Sequence, residues 1–213
     1  DILKSNIQNL IPKEKLRFPT GQVSNVQYKV AANLPYYITS PVIKKFLEED
    51  CPPKLMVLMV QKEVAERICA APPKMSILAI AVQFYSRPEI IKIVKKESFW
   101  PEPKVDSAIL KITDINTNKR LINTDKFFKI VKTGFSSPRK QLKNNLSSFV
   151  KNYGGFTVAF GKGGKKSLKQ RTEEILKKSE IDSARRAETL SVNDWLKIYL
   201  KYKNLLKEKV GRK

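Results

Sequence analysis

Residues 33–36, Asn33-Leu34-Pro35-Tyr36, bring an amide, a stiff donor-free backbone and an aromatic ring into four positions. The Asn33 side-chain oxygen and the Leu34 backbone carbonyl can together accept both hydrogens of an exocyclic amine on a nucleobase. Such an amine is a poor nucleophile because its lone pair is delocalised into the ring. Two acceptors favour a pyramidal nitrogen whose lone pair points at an electrophile. Pro35 has no N–H and fixes its own φ, which stiffens the loop. Tyr36 offers a face on which a base can stack. No strong general base is required, since the substituted ammonium loses its proton to water. The alternative reading of the same four residues is a plain strand-to-helix turn around a buried Tyr.

Before this loop, the apolar run Tyr28 to Ala32 predicts a buried strand. A helix over 40–49 follows, with Thr39 or Ser40 as N-cap, Pro41 in the first turn, and Val42, Ile43, Phe46 and Leu47 on one face. The loop then lies at the carboxyl end of a strand, where open α/β sheets hold ligands. Leu55 to Val60 predicts a strand buried on both faces. Lys62 to Ala70 reads as a helix, with Glu63 and Arg67 spaced to pair. Residues 75–86 read as a packing helix, and Glu89 to Val94 and Val105 to Ile112 as antiparallel strands. The hinge between these strands, residues 97–104, is held extended by Pro101 and Pro103. It offers Phe99 as a second aromatic wall opposite Tyr36. The alternative is that Phe99 and Trp100 are core anchors.

Residues 114–124 are polar and read as a linker, giving domains at 1–115 and 116–213. Helical patterns follow at Phe127 to Val131, Leu142 to Val150, Leu168 to Leu176 and Val192 to Leu206. Helix starts are marked at Ser136-Ser137-Pro138, at Ser167 and at Ser191 with Asp194. Arg139, Lys140 and Lys143 cluster near one predicted helix N-terminus, a site suited to phosphate. Gly154, Gly155, Gly161, Gly163 and Gly164 do not follow a strand and read as a loop, with a basic run from Lys162 to Lys169.

The formal charge is +22 over 213 residues. Residues 1–113 carry 17 Lys and Arg against 11 Asp and Glu, whereas residues 114–213 carry 25 against 9. So basic a chain points to a polyanionic partner and away from a typical small-molecule enzyme. The alternative is a set of solvated basic faces. The absence of His from the sequence excludes His-dependent triads and His metal sites. Cys51 and Cys69 are not in a paired arrangement, so neither zinc nor a disulfide framework is expected. No signal peptide or long apolar span is visible, and a cytoplasmic location is expected.

Four stretches together resemble the ribosomal RNA adenine N6-dimethyltransferase family. They are Asn33-Leu34-Pro35-Tyr36, Gln61 to Ile68, Phe99-Trp100-Pro101-Glu102-Pro103-Lys104-Val105-Asp106-Ser107, and Arg185 to Ser191. Phe135 to Lys143 resembles a further family segment, departing from it at Gly134 and Pro138. The resemblance implies a Rossmann-like class I methyltransferase sheet, here its C-terminal part, joined to a small all-helical RNA-binding domain. It implies S-adenosylmethionine-dependent N6,N6-dimethylation of adenines in a small-subunit ribosomal RNA loop, coupled to ribosome biogenesis. The implied catalytic residues are Asn33, Leu34, Pro35, Tyr36 and Phe99. Asp1, in Asp1-Ile2-Leu3-Lys4, and Asn33 would bind the cofactor, and Lys104, Arg139, Lys140 and Lys143 the RNA. The protein is expected to act as a monomer, without metal or membrane. The family's Gly-rich turn and ribose-holding acid are not in this sequence, so by the resemblance the first three strands lie upstream of Asp1. These residues alone are then expected to bare a sheet edge and to aggregate. Two alternatives stand: a macrolide-resistance-type methyltransferase of large-subunit RNA, and a non-catalytic RNA-binding assembly factor.

Overall fold

The computed structural model describes residues 27–49, 51–115, 122–153 and 167–210. Asp1, the glycine-rich stretch 154–164 and most of the Lys162–Lys169 run lie outside the described residues, as do 211–213. The chain divides into two compact units. The first holds residues up to Cys69 together with Ala81–Lys119. The second holds Ala70–Ile80 and Arg120 onward. Residues 70–80, which the sequence leaves in the first domain, thus group with the second unit.

The first unit is a four-stranded mixed sheet. Its strands are β1 (Lys29–Asn33), β2 (Leu55–Gln61), β3 (Arg87–Val94) and β4 (Ser107–Thr113), in the order β1-β2-β4-β3. β1 and β2 run parallel, with Asn33 opposite Met59. β4 is antiparallel to both of its neighbours, with Ser107 opposite Gln61 on one side and Val94 on the other. The carboxyl ends of β1, β2 and β3 and the start of β4 therefore share one end of the sheet. Helices α1 (Thr39–Glu48) and α2 (Lys62–Ile68) follow β1 and β2.

Burial explains which parts of the sheet are fixed. Met56, Leu58 and Val60 of β2 are fully buried, as are Ala108, Leu110 and Ile112 of β4. On α1, Val42, Ile43, Phe46 and Leu47 form the buried stripe that the sequence predicts. Two expectations are corrected. β2 is not buried on both faces, because Leu55, Val57 and Met59 alternate as half-buried residues with the buried set. β1 is no buried strand either: Lys29, Ala31 and Asn33 are exposed, and among the described residues it pairs only with β2.

The second unit is helical, with α4 (Thr124–Gly134), α5 (Leu142–Tyr153), α6 (Leu168–Lys178) and α7 (Val192–Val210). Helix α3 (Ile77–Tyr85) is divided between the units at Ile80. Two helix starts follow the sequence. Ser167 and Gln170 form a reciprocal capping box on α6. Ser191 and Asp194 do the same on α7, with bonds of 2.9 and 3.2 Å. The core is aromatic. Trp195 stacks on Phe135, Phe127 meets Tyr199 edge-on, and Phe149 meets Tyr202 edge-on. Gly134 is buried against the Trp195 ring, leaving no room for a Cβ.

Candidate active site

Asn33 ends β1 with its side chain exposed. The chain then leaves the sheet: the Leu34 N–H reaches the Met59 carbonyl at 3.4 Å, and Pro35 adopts φ −54° and ψ 132°. A single 3-10 turn, Tyr36–Ile38, precedes α1. This turn displaces the expected N-cap. Ile38, not Thr39 or Ser40, occupies the cap position, and Thr39 is already helical. The Thr39 hydroxyl is buried and finds no hydrogen-bond partner among the described residues. The effect is to hold Asn33, Leu34, Pro35 and Tyr36 as a short rigid step at the open end of the sheet, with Asn33 and Pro35 exposed and Tyr36 half-buried.

Tyr36 is tethered at its far end. Its hydroxyl lies 2.9 Å from the Ser107 hydroxyl, and either can donate. Ser107 is fully buried at the start of β4. The preceding residue, Asp106, holds the opposite loop. Its Oδ1 accepts the Lys96 N–H at 3.1 Å, its Oδ2 faces the Lys95 ammonium at 3.3 Å, and its carbonyl accepts the Lys62 N–H at 3.0 Å. The Lys96 N–H, with help from Lys95, holds the Asp106 carboxyl below its ordinary range.

That opposite loop is the hinge carrying Phe99. Its beginning is not extended as predicted: Lys96–Ser98 form a 3-10 turn, closed by the Phe99 N–H on the Lys96 carbonyl at 3.2 Å. Phe99 itself is extended, at φ −119° and ψ 150°, but the chain bends over residues 99–101 and again at 104–105, so the hinge as a whole is not the extended segment that the two prolines predict. An ion pair between Lys96 and Glu102 spans the turn, and it raises the affinity of Lys96 for its proton. Phe99 is half-buried, while Trp100 is 97% exposed, so Trp100 is no core anchor. Lys104 is exposed beside them. The register places both loops at the same end of the sheet. Asp106 and Ser107 were missed by sequence reasoning as site residues. The available signal is a polar pair directly before the apolar run Ala108-Ile109-Leu110.

The basic cluster of the second unit differs from expectation. Helix α5 starts at Leu142, not at Ser136-Ser137-Pro138, because residues 137–140 make a turn, with the Lys140 N–H on the Ser137 carbonyl at 3.0 Å. The Leu142 and Lys143 N–H groups donate to the Arg185 and Ser183 carbonyls at 2.8 and 3.3 Å. Those first-turn donors are consequently not free for phosphate. Lys143 pairs with Glu173 at 3.0 Å. Arg139 and Lys140 remain exposed on the turn and make no ion pair among the described residues. Nor does an ion pair join Glu63 to Arg67 there. Arg185 folds onto the Thr189 hydroxyl at 3.1 Å and also binds the Thr189 carbonyl, so the Arg185–Ser191 segment braces α5 and α7.

Among the described residues no group of His, Cys, Asp and Glu is placed to hold a metal, and no helix is long and apolar enough to cross a membrane. The model of the ribosomal RNA adenine dimethylase family matches residues 1–204. The ribosomal RNA small subunit methyltransferase A of Dehalococcoides mccartyi is 40% identical over 202 residues, covering 94% of this chain and 62% of that protein. The protein of the same name from Clostridioides difficile is 40% identical over 216 residues, covering 100% and 65%. The chain thus spans less than two thirds of these relatives' length. A solved dimethyladenosine transferase from Plasmodium falciparum matches with a TM-score of 0.71 at 28% identity, over 88% of this chain and 70% of that one. The 23S rRNA methyltransferase ErmE matches with a TM-score of 0.61 at 18% identity, over 86% and 68%, a likeness of fold alone. The mixed sheet with its helices is accordingly the Rossmann-like α/β fold of class I methyltransferases.

Proposed function

The chain belongs to the ribosomal RNA adenine dimethylase family, and from that premise we propose that its protein dimethylates N6 of adenines in a loop of small-subunit ribosomal RNA during subunit assembly. The observation that carries this reading is the arrangement at one end of the sheet. An exposed amide, Asn33, stands beside Tyr36, and Tyr36 is bonded to the strand start whose neighbouring residue holds the Phe99 turn. The relatives at 40% identity bear small-subunit names, which favours that RNA over large-subunit RNA.

In this reading the target adenine leaves its stack, a cheap step in a single-stranded loop, and enters between Tyr36 and Phe99. Asn33 Oδ1 and the Leu34 carbonyl accept the amine hydrogens and aim the nitrogen lone pair. Bound S-adenosylmethionine supplies an electrophilic methyl group. Within this chain, Asn33 is the polar group at the strand end suited to face both cofactor and base. Asp1 would take the cofactor's adenine amine. Positioning and preorganised acceptors are the protein's share of the catalysis. The proton of the methylated amine leaves to water. Lys104, Arg139 and Lys140 would grip RNA phosphates, with Lys143 contributing less because Glu173 already neutralises it. The protein acts in the cytoplasm as a monomer.

The test is methylation by the full native protein of undermethylated small ribosomal subunits and, separately, of naked large-subunit RNA. Dimethyladenosine should appear by mass spectrometry in the first substrate only. Product in the second alone would favour the macrolide-resistance reading, and binding without product the assembly-factor reading.

A further inference from the structure

We infer that Asp106 and Ser107 are positioning residues that set the two aromatic walls of the base slot together. The inference rests on the functional reading above. Two consecutive residues at the start of β4 make side-chain bonds in opposite directions along the sheet's end. Ser107 Oγ holds the Tyr36 hydroxyl at 2.9 Å, fixing the tip of that ring from 71 positions away in sequence. Asp106 Oδ1 holds the Lys96 N–H at 3.1 Å, fixing the turn that ends at Phe99.

The anchor point itself is rigid. Ser107 is fully buried and sits between Gln61 of β2 and Val94 of β3 in the ladder. The Asp106 carbonyl is bound in addition by the first N–H of α2. A displacement of this dipeptide would move both rings at once, whereas neither hydroxyl nor carboxylate needs to touch the base. Because stacking needs a defined gap between two faces, errors well under an ångström at the anchor become errors in slot width. Misplacement of about 1 Å can cost on the order of 100-fold in rate.

The chemistry separates the two bonds. The Tyr36–Ser107 bond is neutral and can be cut from either end without touching the ring: Tyr36→Phe keeps the stacking face, and Ser107→Ala removes the partner. If the bond acts as a unit, the double variant should lose no more than either single variant. The Asp106 bond to Lys96 needs an acceptor oxygen rather than a charge. Asp106→Asn retains that oxygen, and Asp106→Ala does not.

The experiment uses the full native protein, S-adenosylmethionine and undermethylated small subunits under single-turnover conditions. It is paired with fluorescence of a small-subunit RNA loop carrying 2-aminopurine at the target adenine, read without cofactor. Tyr36→Phe, Ser107→Ala and their double variant should each slow transfer about tenfold, by the same factor, with RNA affinity unchanged. Each should also weaken the stacking quench of 2-aminopurine. Asp106→Ala should do the same, and Asp106→Asn should recover most of the rate. Additive losses in the double variant, or parental rates and quenching in the single variants, overturn the inference. A parental protein that neither stacks 2-aminopurine nor transfers methyl groups overturns the functional reading itself, and the inference with it.

Discussion

The two units hold their important residues by opposite means. At the open end of the sheet, Asn33, Pro35 and Lys104 are exposed, and Tyr36 and Phe99 half-buried. A handful of directional bonds through Asp106 and Ser107 fixes that region. In the helical unit, Trp195, Phe127, Tyr199 and Phe149 are buried in a shared aromatic core, and the basic residues decorate its outside. The lesson is one of redundancy. A site that stays open, as the proposed function requires, cannot use burial to place its groups, so each bond there carries geometry. A packed core tolerates the loss of any one surface charge but not of a central ring.

The contrast is testable, beginning with its largest consequence. Trp195→Ala should cost about 3–5 kcal/mol in the helical unit, the range for removing a large buried aromatic. Thermal unfolding should then show that unit melting early while the sheet's transition stays near its parental temperature. A uniform loss in both units would break the comparison. Next, Gly134→Ala forces a methyl group into the Trp195 ring, and overpacking of this kind should cost about 1–3 kcal/mol. Denaturant titration measures it, and an unchanged midpoint would show that Trp195 has room to move.

A smaller effect sharpens the surface side of the comparison. Arg139→Ala and Lys140→Ala should each weaken RNA binding across sequences and each reduce the salt slope by about 1. Lys143→Ala should lower the slope less, since Glu173 already pairs with it. Equal slopes for all three variants would mean that the Lys143–Glu173 pair opens when RNA binds.

The smallest effect concerns acid. The folded state favours ionised Asp106, so the stability that its charge contributes is fully present above the ordinary Asp value of about 3.9 and is lost as pH falls through the lowered one, while an acceptor oxygen for the Lys96 N–H remains. The Asp106 carboxyl resonance should accordingly titrate below about 3.9. A midpoint at or above that value would show that the Lys96 N–H does not hold it in solution.

Much of this was legible in the sequence because the relevant forces are local. The apolar stripe of α1 and the helix starts at Ser167 and Ser191 depend on neighbours within a turn, whereas the alternation of β2 is hidden by a run of residues that are all apolar. The Asn33–Tyr36 loop could be placed at a strand end for the same reason. The structure departs from the sequence pattern where distant residues decide. Ser136–Pro138 reads as a helix start, yet the carbonyls of Ser183 and Arg185 meet the helix at Leu142 and Lys143 instead. A 3-10 turn at Tyr36 precedes α1 and leaves Ile38 at the cap position, and the Tyr36 hydroxyl bonds to Ser107 far along the chain. The bonds of Asp106 and Ser107 are not legible in the sequence because their partners are ten and 71 positions away.

Under the proposed function, Asn33 activates the amine of a base seated at the sheet's open end. The most direct measurement is the single-turnover methyl-transfer rate of the full native protein carrying Asn33→Ala, at saturating RNA and S-adenosylmethionine. Losing one preorganised acceptor should slow transfer about 100- to 1,000-fold while RNA affinity and melting temperature hold. A parental rate in that variant would contradict the account.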